Sequence, residues 1–210
     1  MRGLPVVLHV AGRPIVVVGA GSVASRRLAS ALEAGAEVVV IAPLVSAAVA
    51  AAAEASGGRC RIEQRSVTAT DVVGTALVLC CVDDADVDDA VVRWCLDAGV
   101  PVASARAHPA ATASLPASVT GDRVRISVST DPPVPSLARH LAEQAAGNLP
   151  VGIDTVVVVL AEVRSEVMSS GRSINGAVWQ ELVVAGIMSA ESGADRAVVK
   201  ERLRTCLSSS

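Results

Sequence analysis

The stretch of sequence that decides the fold lies close to the N-terminus: Ile15-Val16-Val17-Val18-Gly19-Ala20-Gly21-Ser22-Val23-Ala24-Ser25-Arg26-Arg27. Its four leading β-branched residues predict a buried strand, and its two glycines predict a tight turn. After the turn, Leu28, Ala31 and Leu32 share one face of a predicted helix. A strand, a glycine turn and a helix start in this order are typical of a dinucleotide-binding βαβ unit.

This motif predicts where a nucleotide would lie. Gly19 permits the sharp turn, and Gly21 lets a pyrophosphate approach the backbone. The amides of Ser22 and Val23 lie at the positive end of the helix, which favours an anion. We therefore expect NAD to bind with its pyrophosphate against Gly19–Val23. The alternative is a glycine-lined turn without a ligand.

Further strands and helices alternate along the first half of the chain. A short edge strand is predicted over Val6–His9. Further strands are predicted over Glu37–Ala42, Arg61–Gln64, Ala76–Val82 and Val100–Ala103, with helices over Ser22–Ala34, Ser46–Ala55 and Asp83–Ala98. In the last helix Val87, Val91 and Trp94 lie on an apolar face, while Asp86, Asp88 and Asp89 occupy the other face. The pattern predicts a parallel sheet with helices on both faces.

The pattern changes after Arg106. Residues 117–120 and 125–129 predict two antiparallel strands, and residues 134–145 predict a helix with an apolar stripe. From Val151 onward the chain is predicted to be helical. We therefore expect an α/β protein with a Rossmann-type NAD-binding domain over residues 1–112, a small dimerisation region over 113–150 and a helical domain over 151–210. A homodimer is the simplest partner for the extra apolar stripes.

Composition excludes several classes of function. The net charge is −3 and aromatic residues make up 1% of the chain, so neither a basic groove nor a stacking surface for nucleic acid is expected. No segment has the length of a membrane span. The five cysteines show no CxxC spacing and the three histidines no metal-ligand spacing, so we expect reduced core thiols, a cytoplasmic protein and no metal site.

The second strand ends without the charged residue that often selects a cofactor. NAD sites commonly place an acidic residue about 20 positions after the glycine turn. Here the strand runs into Ala42-Pro43-Leu44, with no carboxylate for a ribose and no arginine for a 2′-phosphate. We expect the adenosine near these three residues, and the preference between NAD and NADP stays open.

Several motifs together carry a family resemblance over roughly residues 4–185. Leu4-Pro5, Gly12-Arg13 and Val16–Arg27 resemble the opening of the precorrin-2 dehydrogenase/sirohydrochlorin ferrochelatase family, the N-terminal module of siroheme synthases. Ala42-Pro43 is similar to that family's second strand end, and Val82–Asp88 to a later segment in which the family usually has asparagine at position 88. The remaining similar motifs are Ser114–Ala117, Ile126–Thr130 and Pro135–Arg139.

The resemblance implies an enzyme that oxidises precorrin-2 to sirohydrochlorin with NAD in siroheme biosynthesis, works as a homodimer and in many members also inserts Fe²⁺. It places Asp83 near the cofactor and Ser129 and Thr130 near the carboxylate-rich tetrapyrrole. Asp83 is also simply the start of a helix, and Ser129 and Thr130 also suit a helix cap.

The chain departs from that family where a catalytic carboxylate is expected. Counting back from Pro116, the position falls on Arg106, and Asp131-Pro132-Pro133 replaces the family's flexible glycines. Arg106 is either a clamp for substrate carboxylates or a surface residue, and His108 is either a replacement acid/base or a loop residue. We expect ferrochelatase activity to be absent or very weak. The alternatives are a non-catalytic or repurposed nucleotide- or tetrapyrrole-binding protein, or a dehydrogenase of another small substrate.

Overall fold

A computed structural model describes residues 3–171 and 175–208. The chain divides into two compact units, the first covering residues 3–115 and the second beginning at Pro116. Our predicted boundary between residues 150 and 151, inside the second unit, stays a prediction. Within the described residues, no helix is both long and apolar enough to cross a membrane.

The first unit is built on a five-stranded parallel sheet. Its strands are β1 Pro14–Val18, β2 Glu37–Ile41, β3 Cys60–Glu63, β4 Leu77–Cys80 and β5 Val102–Ser104, in the spatial order β3-β2-β1-β4-β5. The helices are α1 Ser22–Glu33, α2 Ala47–Glu54 and α3 Ala85–Asp97, and a 3₁₀ turn covers Ala69–Val72. The predicted α/β class with a Rossmann-type parallel sheet is confirmed.

Alternate residues of the central strands supply the two faces of the core. Ile15 and Val17 of β1 pack with α1 and α2, whereas Val16 and Val18 pack with α3. All four side chains are at most 3% exposed. Strands covered on both faces have near-continuous apolar sequences, which is why the run from Ile15 to Val18 does not alternate with polar residues. Trp94 of α3 packs against the second of these clusters.

The predicted edge strand at Val6–His9 is wrong. These residues form no strand, and Val6 and Val7 are 75% and 78% exposed. β-branched residues favour a strand only where a neighbouring strand supplies hydrogen bonds and packing. Here the chain meets the core only at Val10, which is 6% exposed.

The described residues of the second unit form a hairpin and four helices. Strands β6 Ala117–Thr120 and β7 Arg125–Val128 are antiparallel, with Ala117 opposite Val128. The helices are α4 Pro135–Gly147, α5 Ile153–Ser169, α6 Gly176–Glu191 and α7 Arg196–Ser208. The last three share a buried cluster made by Val159, Val163, Leu182, Val199 and Leu203. Trp179 packs against this cluster, and the guanidinium carbon of Arg164 lies 6.0 Å from the centre of its ring.

Candidate functional site

The sheet order locates the candidate site. Strands β1 and β4 are adjacent, and the chain order runs outward from them in opposite directions. In open α/β sheets, ligands bind beyond the carboxyl ends of the strands at such a reversal point. The turns that follow β1, β4 and β5 carry Gly19, Asp83 and Arg106 respectively, so the structure brings these predicted residues to one edge of the sheet.

Gly19 is required by the backbone geometry of this edge. Its φ is +98°, a conformation that L side chains rarely adopt, and its N–H donates to the carbonyl of Ile41 at 2.9 Å. A Cβ at this position would lie 2.5 Å from the carbonyl oxygen of Cys81. The predicted sharp turn at Gly19 is therefore present, and it lies tightly against the segment that follows β4.

Unlike Gly19, Gly21 has open space where a side chain would lie. Its φ is −84°, which any residue can adopt, and a Cβ built there would have no heavy atom within 4 Å. It is the N-cap of α1, yet no side chain caps this helix and no acidic residue lies in its first turn. By contrast, Ser46 caps α2 and Asp84 caps α3.

The start of α1 consequently offers amide donors without a side-chain acceptor. The first backbone bond of the helix runs from the N–H of Ser25 to the carbonyl of Gly21 at 3.0 Å, so the amides of Ser22 and Val23 precede the helical ladder. Ser22 is exposed, whereas Ala24, at the third glycine position of the motif, is fully buried. This arrangement has the space, the donors and the helix polarity that a pyrophosphate needs.

The end of β2 presents an apolar surface. Ala42 is 4% exposed, Pro43 is exposed, and Leu44 is 86% exposed. Neither a carboxylate nor a guanidinium occurs in Ala42–Leu44, so these residues offer van der Waals contact to an adenosine without choosing between a ribose hydroxyl and a phosphate.

Arg106 is tied to the turn that follows β4. Its Nη1 donates to the carbonyl oxygen of Asp83 at 2.7 Å, across 23 positions of sequence. Asp83 is exposed, and the neighbouring Asp84, not Asp83, caps α3 by accepting from Asp86 and Val87. The other guanidinium N–H groups of Arg106, which is itself exposed, are donors only and cannot take up a proton.

His108 has partners on both ring nitrogens. Nδ1 accepts from the N–H of Ala110 at 3.1 Å, and Nε2 lies 3.0 Å from Oδ1 of Asp89. The imidazole is 19% exposed. These contacts favour the role of a loop anchor over that of a replacement acid/base.

The sequence pattern predicts the wrong environment for Asp88. The periodicity of α3 puts it on the polar face with Asp86 and Asp89, but in the structure it is 2% exposed. Its Oδ2 accepts from the hydroxyl of Ser104 at 2.8 Å, and this bond compensates for burial. Ser104 ends β5, 16 residues away, so spacing within the helix gave no signal for the pair.

In the second unit, Thr130 bonds the backbone just before α4, whose N-cap residue Val134 offers no side-chain cap. Its Oγ1 accepts from the N–H of Val134 at 2.6 Å, immediately before α4 begins at Pro135. Ser129 is exposed at the end of β7. The helix-cap interpretation is thus wrong for α4, because Thr130 accepts from the N-cap residue and not from an amide inside the helix. Binding of substrate by Ser129 or Thr130 stays a prediction.

The thiols are poor candidates for chemistry. The five cysteines, all within the described residues, form no disulfide bond. Burial raises the pKa of Cys81 to about 11 and that of Cys95 to about 11, and it raises the pKa of Cys80 further. Reactive cysteines have lowered values, so these thiols behave as small apolar residues at neutral pH. Among the described residues, no three His, Cys, Asp or Glu side chains are grouped as metal ligands.

Comparison with known proteins gives a consistent picture. Residues 6–117 match the model of a family described as NAD(P)-binding. The siroheme synthase of Methylococcus capsulatus is 32% identical over 167 residues, covering 80% of this chain and 35% of that protein. The siroheme synthase of Stutzerimonas stutzeri is 26% identical over 205 residues, covering 97% and 43%. This chain therefore spans less than half the length of these curated relatives.

One solved structure shares the whole fold. The structure titled "SirC, precorrin-2 dehydrogenase" has a TM-score of 0.72 at 24% sequence identity, and the match covers 98% of this chain and all of that one. At this level of identity the likeness shows that the two chains share a fold, including both the parallel sheet and the helices that follow it.

Proposed function

Because the chain belongs to the NAD(P)-binding family whose model covers residues 6–117, we propose that it is an NAD-dependent dehydrogenase that oxidises precorrin-2 to sirohydrochlorin in siroheme biosynthesis. The observation that carries the proposal is the uncapped start of α1 behind Gly19 and Gly21, at the reversal point of the sheet. The similarity to siroheme synthases over most of this chain supports the choice of substrate.

The residues of the first unit fit a dinucleotide. The amides of Ser22 and Val23 would hold the pyrophosphate in the open space beside Gly21, and Pro43 and Leu44 would contact the adenosine. Asp83 lies on the same edge of the sheet, in the turn after β4. Bound NAD⁺ supplies the hydride acceptor, and the protein supplies position and electrostatics.

The proposed substrate carries many carboxylates, and Arg106 suits such a ligand. Its bond to the carbonyl of Asp83 uses Nη1 and orients the guanidinium, while its remaining N–H groups can form charge-assisted bonds with a carboxylate. Ser129 and Thr130 are proposed in their own right as residues that bind substrate carboxylates. The hydroxyl group of Thr130 keeps a donor for a substrate carboxylate while its oxygen accepts from the N–H of Val134.

We also propose that the protein forms a homodimer in the cytoplasm. Helix α4 buries Ala138 and Ala142 but leaves Val134, Leu137 and Leu141 exposed by 41%, 46% and 39%. A second copy that covers this stripe would remove apolar surface from water, and a twofold arrangement needs no other partner.

A second candidate function follows from one observation. Position 106 holds a guanidinium, and His108 has both nitrogens engaged, so neither offers a free acid or base. A protein of this kind could bind a nucleotide and a tetrapyrrole without oxidising the tetrapyrrole.

Incubation with precorrin-2 and NAD⁺ separates the two candidates. The dehydrogenase produces sirohydrochlorin absorption together with NADH, and Gly21→Asp removes both signals. Binding of NAD⁺ and tetrapyrrole without turnover favours the second candidate. Failure to bind a tetrapyrrole at all contradicts both.

A further inference from the structure

A buried carboxyl group lies directly behind the loop that carries Arg106. Asp88 is 2% exposed and belongs to α3, whose other charged side chains face solvent or the helix start. Aspartate is rarely buried this completely unless it is paired or hydrogen-bonded, because removal of the group from water is costly. Asp88 accepts from the hydroxyl of Ser104, at 2.8 Å, and from the thiol of Cys80.

The hydroxyl group of Ser104 uses its full hydrogen-bonding capacity. It donates its proton to Asp88, and its oxygen accepts from the backbone N–H of Arg106 at 3.1 Å and of His108 at 3.4 Å. A serine hydroxyl has one donor and two acceptor sites. Donation to Asp88 therefore turns both lone pairs of the oxygen towards the loop.

The loop needs this support because its backbone is strained. Ala107, between the two bonded amides, has a φ of +56°, a left-handed conformation that a residue with a Cβ rarely adopts. Two further contacts hold the loop. Oδ1 of Asp89, on α3, lies beside Nε2 of His108, and the carbonyl oxygen of Asp83, in the turn before α3, accepts from Arg106. The position of the Arg106 guanidinium thus depends on hydrogen bonds that lead from the buried Asp88 through Ser104 to the loop.

We propose that Asp88 is a positioning residue which, through Ser104, fixes residues 105–108 so that Arg106 presents its guanidinium to a substrate carboxylate. The part of this inference that concerns the substrate rests on the proposed function. The part that concerns the loop does not, because it depends only on the contacts of Asp88, Ser104 and the two backbone amides.

Hydrogen exchange of single amides, followed by NMR, tests the loop directly. In Asp88→Ala and Ser104→Ala, the amides of Arg106 and His108 should exchange about tenfold faster, as expected for loss of a hydrogen bond to or through a charged group. Asp88→Asn keeps one side-chain oxygen and should restore most of the protection. Asp97→Ala, which removes an exposed carboxyl from the same helix, is the matched control and should change neither amide. Unchanged protection in both Asp88→Ala and Ser104→Ala overturns the proposal.

Binding of an octacarboxylate porphyrin, uroporphyrin, tests the consequence for the substrate. Asp88→Ala should weaken uroporphyrin binding about tenfold and leave the Kd for NAD⁺ unchanged, and it should have no further effect in an Arg106→Ala background. If Asp88 had only a structural role, Asp88→Ala would weaken the binding of uroporphyrin and of NAD⁺ equally, and its effect would add to that of Arg106→Ala. That result overturns the positioning role. If Asp88→Ala does not fold, Ser104→Ala provides the same comparison. If the unaltered protein binds no tetrapyrrole, the proposed function and the substrate part of this inference fail, and hydrogen exchange still decides whether Asp88 fixes the loop.

Discussion

The carbonyl oxygen of Cys81 occupies the space that a side chain on Gly19 would need, 2.5 Å from the position of its Cβ. The contact joins the turn after β1 to the segment that follows β4, its neighbour in the sheet. Since the amides that would bind a nucleotide follow Gly19 directly, the close approach at Cys81 also sets where those amides lie.

Replacement of Gly19 with alanine should therefore destabilise the protein. The φ of +98° alone costs about 1–2 kcal/mol for a residue with a Cβ, and the contact with Cys81 adds to it. Gly12→Ala is the matched control, because Gly12 has a φ of +66° but no atom within 4 Å of its Cβ position. Urea denaturation measures both. Equal losses in the two variants would show that the contact with Cys81 has no energetic effect.

Gly21→Asp should abolish NAD⁺ binding while the protein stays folded. The position has an ordinary φ and open space, so the side chain fits, but it introduces a negative charge where the phosphates approach. Gly21→Ala controls for bulk without charge and should weaken binding less. Calorimetric titration with NAD⁺ gives both Kd values, and normal binding by Gly21→Asp would place the nucleotide elsewhere.

Iron insertion should be absent or very weak in the unaltered protein. A guanidinium at position 106 repels a divalent cation by several kcal/mol at ~4 Å with an effective dielectric near 20, and it accepts no pyrrole proton. Arg106→Asp should raise Fe²⁺ insertion into sirohydrochlorin, and Arg106→Ala should weaken tetrapyrrole binding about tenfold. Arg93→Ala, an exposed arginine of α3, is the control. Efficient insertion by the unaltered protein would mean that another group acts.

The charged cluster beside β3 should make stability depend on pH in acid. The hydrogen bonds from Arg65, at 2.6 and 2.7 Å, lower the pKa of Asp71 from 3.8 to about 2, and bonds from Thr68 contribute. A carboxyl with a lowered folded-state pKa stabilises the protein above its unfolded pKa, and this contribution is lost as the pH falls from 3.8 towards 2. Asp71→Asn should cost about 1 kcal/mol at neutral pH, because solvent screens the exposed Arg65.

The difference in free energy of unfolding between Asp71→Asn and the unaltered protein should then shrink between pH 3.8 and 2. Urea denaturation across that range measures it, with Asp97→Asn, at an exposed carboxyl of α3, as the control. A difference that stays constant down to pH 2 would show that Asp71 is not held in its charged form by Arg65.

The exposed stripe of α4 should mediate self-association. Light scattering at micromolar concentration should give a dimer, and Leu137→Glu or Leu141→Glu should shift it to a monomer by placing a charge in the apolar contact. Leu96→Glu, at an exposed leucine of α3, controls for the loss of a surface leucine. A monomeric unaltered protein would exclude this role for α4.

The sequence predicts the sheet well because its strands are short apolar runs separated by amphipathic helices. The five parallel strands and the hairpin lie within a few residues of their predicted positions, and the first helix of the predicted helical region begins at Ile153, near the predicted start at Val151. The strand predicted at Val6–His9 fails for a physical reason: local propensity does not say whether a neighbouring strand is available.

The candidate site is harder to predict from the sequence than the sheet is. The glycine turn is recognisable because Gly19 and Gly21 are local signals for backbone geometry. The buried position of Asp88 is not recognisable in this way. Helical periodicity places it on the polar face of α3, and its partner Ser104 lies on β5, far away in sequence. The contact between Arg106 and Asp83 is equally invisible in one dimension, because it depends on how the turns after β4 and β5 meet.

The distribution of the two tryptophans has a practical consequence for spectroscopy. Trp94 packs against the core of the first unit and Trp179 against the helical cluster of the second, and the chain contains neither tyrosine nor a third tryptophan. Each compact unit thus has its own intrinsic fluorophore. In single-tryptophan variants, the emission of Trp94 would follow melting of the sheet domain and that of Trp179 would follow melting of the helices, so a single instrument can distinguish sequential from concerted denaturation without an added label.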